Sequence, residues 1–192
     1  MHKGRLEAFS DGVLAILITI MVLELHVPKG QDLSDLLQAL PLIAVYALSF
    51  IFLAIYWNNH HHMFQAAQRV SGGVLWSNAH LLFWLSLVPF TTAWMAQHAS
   101  APWPVAAYGI NLLLCAIAYY VLSHRLIAHH GKESPLAIAF GRDRKGKISL
   151  LIYIVSIPLA FYRPALSYAC FIAVAIIWLV PDRRIERALR IE

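Results

Sequence analysis

The carboxylate of Asp11 stands inside the first hydrophobic run. The segment Arg5-Leu-Glu-Ala-Phe9-Ser10-Asp11-Gly12 leads into unbroken hydrophobic sequence from Val13 to Leu23. Further on, His60-His61-His62 closes a second apolar segment, and Asn78 lies early in a third. An acid and imidazoles at a common depth can pass protons, hold a cation, or satisfy one another's hydrogen bonds. Metal binding is the weakest of these readings. Adjacent helical residues point about 100° apart, whereas metal-binding pairs on a helix favour a spacing of four. The sequence has no phosphate loop, zinc spacing, nucleophile elbow or paired-carboxylate motif. An enzyme, a cofactor and a structural metal are therefore not expected.

The element that carries Asp11 must be a membrane helix. Crossing a bilayer takes about 20 residues, so the run 13–23 is too short by itself and its helix has to begin near Leu6. That start draws Ser10 and Asp11 into the membrane or its inner boundary. A carboxylate there costs about 2.5–3.5 kcal/mol on insertion scales, so a partner is expected. At about 100° per residue, Asp11 and Arg5 point roughly 120° apart, a poor pairing within one helix. The partner is expected on another helix. Ser10, Asp11, His60, His61 and Asn78 all fall at similar depth and can share hydrogen bonds.

Composition agrees with a membrane protein. Of 192 residues, 60% are hydrophobic and 13% charged, more apolar surface than a soluble domain of this size can bury. Six spans are read, at 6–27, 36–57, 74–95, 105–122, 148–161 and 165–180, forming a single domain over 1–192 in an all-α multi-pass protein of the cell membrane. The last two spans are short and separated only by Tyr162-Arg163-Pro164, so a thin hairpin and a re-entrant pair both stay open. With six spans, 13 Lys and Arg fall on the side of both termini and the 58–73 and 123–147 loops, against only Lys29 and Arg163 opposite. That asymmetry places both termini in the cytoplasm.

The net charge of +5 lies at helix ends rather than in a patch, so nucleic acid is not an expected partner. The basic 123–147 loop is expected to meet anionic lipid headgroups. Cys115 and Cys170 sit mid-run and read as small hydrophobes. The first run contains Glu7 and Asp11 and does not read as a signal peptide.

The first helix has a second pattern. Gly12, Ile16, Thr19, Ile20 and Leu23 fall on one stripe, and Asp11 points about 140° away from Ile16. Ordinary helix packing explains such a stripe. Several copies of the helix around an axis would instead make it a narrow hydrophobic constriction, gated by dewetting, with Thr19 as a small polar ring.

Arg5-x-x-x-Phe9-Ser10-Asp11 matches the RxxxFSD signature, and on it the chain resembles the transmembrane protein 175 family. These are the endosomal and lysosomal potassium channels and their bacterial relatives. Trp57-x-x-His60-His61-x-x-Phe64, and Asn78 followed by Pro89-Phe90-Thr91, support the match. A single six-helix unit is similar to the bacterial form; the animal form carries two. The resemblance implies a homotetrameric, potassium-preferring cation channel whose first helices line a central pore. It implies that Ile16, Ile20 and Leu23 form the hydrophobic filter, with Thr19 as the hydroxyl-bearing position and potassium passing transiently. It also implies that Arg5, Phe9, Ser10, Asp11, His60, His61 and Asn78 form an interhelical network behind the pore.

Rings of Ile and Leu offer no replacement for an ion's hydration shell. Selectivity would come from pore width, hydration, the Thr19 hydroxyls or nearby carbonyl dipoles. Glu24, beyond the filter, either concentrates cations or is a solvated helix end. One rival reading is a proton-coupled transporter, or a proton-conducting channel, that uses Asp11 and the nearby histidines; a second is a non-conducting membrane scaffold or sensor that uses the basic loop.

Overall fold

The computed structural model describes residues 3–131, 134, 137 and 143–179, and these are helical apart from short connections. The helices are α1 (Lys3–Leu23), α2 (Leu33–Gln65), α3 (Gly72–Ser86), α4 (Val88–Gln97), α5 (Pro102–His130), α6 (Arg144–Tyr162) and α7 (Pro164–Leu179). α3 and α4 together make one apolar span, so the six expected spans are all present as helical segments. Five of them are long and apolar enough to cross a bilayer. α7 is shorter, 16 residues or about 24 Å. Val180, Lys132, Arg142, Arg183, Arg184, Arg187 and Arg190, used in reading the spans and their orientation, lie outside the described residues.

Helix ends depart from the expected bounds for local reasons. α1 stops at Leu23 rather than 27. The next two amides make tighter bonds, Glu24 to Met21 O at 3.3 Å and Leu25 to Val22 O at 3.1 Å, and Pro28 forces the preceding residue out of the helical region. α2 runs to Gln65 rather than 57. Its last carbonyls are capped from α1: Lys3 Nζ donates to Phe64 O (3.1 Å), Gln65 O (3.3 Å) and Ala67 O (2.8 Å). A cation at a helix C-terminus also suits the helix dipole. α5 continues to His130 rather than 122 and ends at Gly131, whose φ of 92° is a conformation glycine adopts at little cost. α6 begins at Arg144, where the Asp143 carboxylate accepts from Gly146 N–H at 3.0 Å.

Two apolar cores hold the helices together. One joins α1, the His-rich end of α2, α3 and the end of α5, through Leu14, Met21, Met63, Phe64, Leu81 and Leu122. The other joins α2, α4, the start of α5, α6 and α7, through Phe52, Met95, Tyr108, Leu112, Tyr153 and Phe171. Close approach of the last three helices depends on Gly109. A Cβ there would stand 3.2 Å from both the Phe171 ring and Ser156 Oγ. α1 contributes one side only to the first core: Leu6, Ser10, Leu14, Leu17 and Met21, spaced three or four apart, are its buried residues.

Candidate functional site

The buried side of α1 carries one polar group, the Ser10 hydroxyl, and it is fully satisfied. Asn78 of α3 donates from Nδ2 to Ser10 Oγ at 2.9 Å, and Ser10 Oγ donates to Leu6 O at 2.9 Å. The Asn78 carbonyl oxygen stands 2.8 Å from His60 Nε2 of α2. An amide oxygen can only accept, so His60 must carry its proton on Nε2. The chain of donors runs one way, from His60 through Asn78 and Ser10 to a backbone carbonyl. All three side chains are buried, at 2%, 1% and 0% exposure. The His60 ring also lies against Phe64, with centroids 4.5 Å apart.

Asp11 belongs to a different contact. The Trp57 indole of α2 donates from Nε1 to Asp11 Oδ1 at 3.0 Å, and both side chains are exposed. His61, one turn beyond Trp57, stacks on the indole at 6.0 Å with planes 21° apart. Asp11 therefore does find its partner on another helix, but that partner is an indole rather than His60, His61 or Asn78. The seven residues expected in one network are divided. Ser10, Asn78 and His60 form the buried chain, and Asp11 and His61 meet through Trp57. Arg5 and Phe9 lie on the exposed side of α1, with Phe9 61% exposed, and Arg5 makes no hydrogen bond or ion pair among the described residues. The cause is angular: Arg5 is 11 residues before Ile16, so both project within about 20° of each other.

Among the described residues, nothing covers the opposite face of α1. Ile16 is 57% exposed, Ile20 43% and Leu23 78%, with Gly12 and Thr19 exposed between them. Gly12 has no neighbouring atom within 4 Å of a built Cβ. Thr19 Oγ1 donates to Ile16 O at 2.8 Å. With its proton committed to its own backbone, the hydroxyl offers only oxygen lone pairs outward, the polarity a cation requires. Glu24 is exposed just beyond Leu23. An open groove of about 620 Å³ runs beside this outer half of α1, between Leu17, Ile20 and Glu24 on one side and Pro89, Phe90 and Trp94 on the other.

Two contributors were not legible as site residues. Trp57 stands in the motif that supports the resemblance, but nothing local ties its indole to Asp11. Lys3 counts in the sequence as one more inner-side cation. Its role as the cap of α2 is a contact across more than 60 residues, which no local pattern signals.

The chain is similar to known proteins in sequence and in fold. The family model described as "Endosomal/lysosomal potassium channel TMEM175" matches residues 5–89. A potassium channel of Chryseobacterium sp. (strain P1-3) is 50% identical over 190 residues, covering 99% of this chain and 99% of that one. The crystal structure of a lysosomal potassium-selective channel TMEM175 homolog from Chamaesiphon minutus matches with a TM-score of 0.79 at 29% identity, covering 93% of this chain and 97% of that one. The endosomal/lysosomal proton channel TMEM175 of Danio rerio is 29% identical over 139 residues, 70% of this chain and 26% of that protein.

Proposed function

This chain belongs to the TMEM175 family of ion channels, which are not enzymes, and from that premise we propose that it is a potassium-preferring cation channel of the plasma membrane. Four copies assemble with α1 of each around a central axis and both termini in the cytoplasm. Ile16, Ile20 and Leu23 then form the hydrophobic constriction, and the Thr19 oxygens give the one polar ring within it. The observation that carries this reading is the division of α1. One side is locked into the core through Leu6, Ser10, Leu14, Leu17 and Met21, while the Gly12–Leu23 stripe is left open along its length.

Passive flux through purified protein in liposomes tests the reading. Potassium gradients are expected to drive uncoupled flux that exceeds sodium flux. Absence of flux from folded, inserted protein would instead leave a membrane scaffold. The name borne by the zebrafish relative favours one companion reading, proton permeation through the same pore. A pH-sensitive dye in the same vesicles reads it. Proton-coupled transport through Asp11 and the histidines gains no support, because Asp11 holds an indole N–H and the His60 chain ends on a backbone carbonyl.

Asp11 and Trp57 fasten α1 to α2 from outside the core. Asp11→Ala is expected to lower the tetramer fraction or the open fraction, with the potassium-to-sodium ratio kept within about twofold, as for loss of one exposed charge-assisted hydrogen bond. Trp57→Phe should do the same. A variant that assembles normally with altered selectivity would contradict this assignment.

A further inference from the structure

The third span is broken at Leu87, between α3 and α4, and the break is closed by a side chain from α5. Pro89 has no amide proton, so the Leu85 carbonyl loses its helical donor, and the ring crowds that carbonyl. The Leu87 amide donates instead to Trp84 O at 3.2 Å, a tighter turn, and regular bonding resumes with Thr91 N–H to Leu87 O at 3.0 Å. In an unbroken helix Val88 N–H would donate to Trp84 O. Here the Asn111 amide stands between them. With its amide oxygen and nitrogen assigned to the orientation that satisfies both neighbours, Nδ2 donates to Trp84 O at 3.0 Å, and Oδ1 accepts from Val88 N–H at 3.2 Å and from Thr91 Oγ1 at 3.3 Å. The opposite amide orientation would set N–H against N–H and oxygen against carbonyl. Asn111 is 4% exposed. One side chain thus replaces a missing rung of the α3–α4 ladder and spans the opened gap.

Consequences for α1 follow from position. α4 carries Pro89, Phe90 and Trp94 along the groove that faces Leu17, Ile20 and Glu24. Thr92 of α4 is held by Ser49 of α2 at 2.8 Å, and Ser49 by the Tyr108 hydroxyl of α5 at 2.9 Å. The angle at Leu87 therefore sets where α4 lies against the half of α1 that carries Ile16 to Leu23.

We propose that Asn111 is a positioning residue for conduction: it clamps the α3–α4 hinge and so sets the balance between conducting and closed arrangements of α1. The proposal rests on the reading of α1 as the pore helix. Its test pairs flux with a distance that does not depend on flux. Spin labels at Trp76→Cys on α3 and Gln97→Cys on α4, in a Cys170→Ser background diluted with unlabelled chains, report the hinge angle. Asn111→Leu is expected to shift or broaden that distance and to change potassium flux by about fivefold, with the potassium-to-sodium ratio unchanged. Pro89→Ala restores a helical donor to Leu85, and in that background the effect of Asn111→Leu should shrink, a coupling that independent structural damage would not show. If Asn111→Leu does not fold, Pro89→Ala alone carries the test and should move both readouts. An unchanged distance overturns the clamp. A changed distance with wild-type flux overturns the link to conduction. No flux from the wild-type chain overturns the channel reading itself, and the distance still decides the clamp.

Discussion

Ile16→Asn raises passive potassium flux by about tenfold, the result expected if the stripe on α1 is the constriction. A ring of four Ile side chains excludes water from a narrow passage, and an ion crossing it must shed part of its hydration. Four amides in their place hydrate the passage and supply oxygens to the ion. A barrier lower by only ~1.4 kcal/mol gives that tenfold change. The side chain is 57% exposed, so the substitution opens no cavity in the core and strands no buried partner. Ile154→Asn is the matched control. Ile154 is similarly exposed, at 53%, on α6, far in sequence from the stripe, and its replacement should leave flux within about twofold. Equal flux from wild type and Ile16→Asn, with folding confirmed, would remove Ile16 from the pore. Equal increases in both variants would mean non-specific leak.

The second large effect concerns stability. Asn78→Val removes both the acceptor of His60 Nε2–H and the donor to Ser10 Oγ. His60 Nε2–H is left buried without a partner, at a cost of about 1–3 kcal/mol, and Ser10 Oγ keeps only its bond to Leu6 O. With ~2–4 °C per kcal/mol for a chain of this size, the apparent melting temperature in detergent should fall by about 5–10 °C. The loss is that of an unpaired group rather than of a strong bond. Replacing the whole chain with apolar side chains, Ser10→Ala, His60→Phe and Asn78→Leu together, should therefore recover much of it. An Asn78→Val protein as stable as wild type would mean that water or another group reaches these atoms. A triple variant worse than the single would mean that shape, not hydrogen bonding, matters at this crossing.

What the sequence disclosed, and what it withheld, follows from the range of each interaction. The stripe on α1 could be read because 100° per residue is a local rule, and the structure leaves those residues uncovered. Ser10, His60 and Asn78 could be grouped because depth in a bilayer is nearly a one-dimensional coordinate. That Asp11 meets none of them but the Trp57 indole could not be read. That choice turns on the rotation of α2 about its own axis, which the packing of Met63, Phe64 and Leu53 decides. The helices run past the span bounds at α2 and α5 because hydropathy marks where the membrane stops, not where the backbone stops being helical. The break at Leu87 had a visible sign in Pro89, yet the span reads as continuous. The polar residue that makes the break tolerable, Asn111, lies in another helix within the apolar context Ile110-Asn111-Leu112.

The cap that Lys3 places on α2 bears on how the molecule is made. A chain emerging from the ribosome delivers α1 long before the carbonyls of residues 64–67 exist. The Lys3 cap can form only when translation has passed Ala67, and Ser10 must wait longer, until Asn78 arrives on the third span. Biogenesis of the helix proposed to line the pore thus has two timed stages: tethering of its start to the exit of the second helix, then locking of its rotation by the third. Until that second stage only contacts with α2, the Asp11–Trp57 bond among them, hold the direction of the stripe.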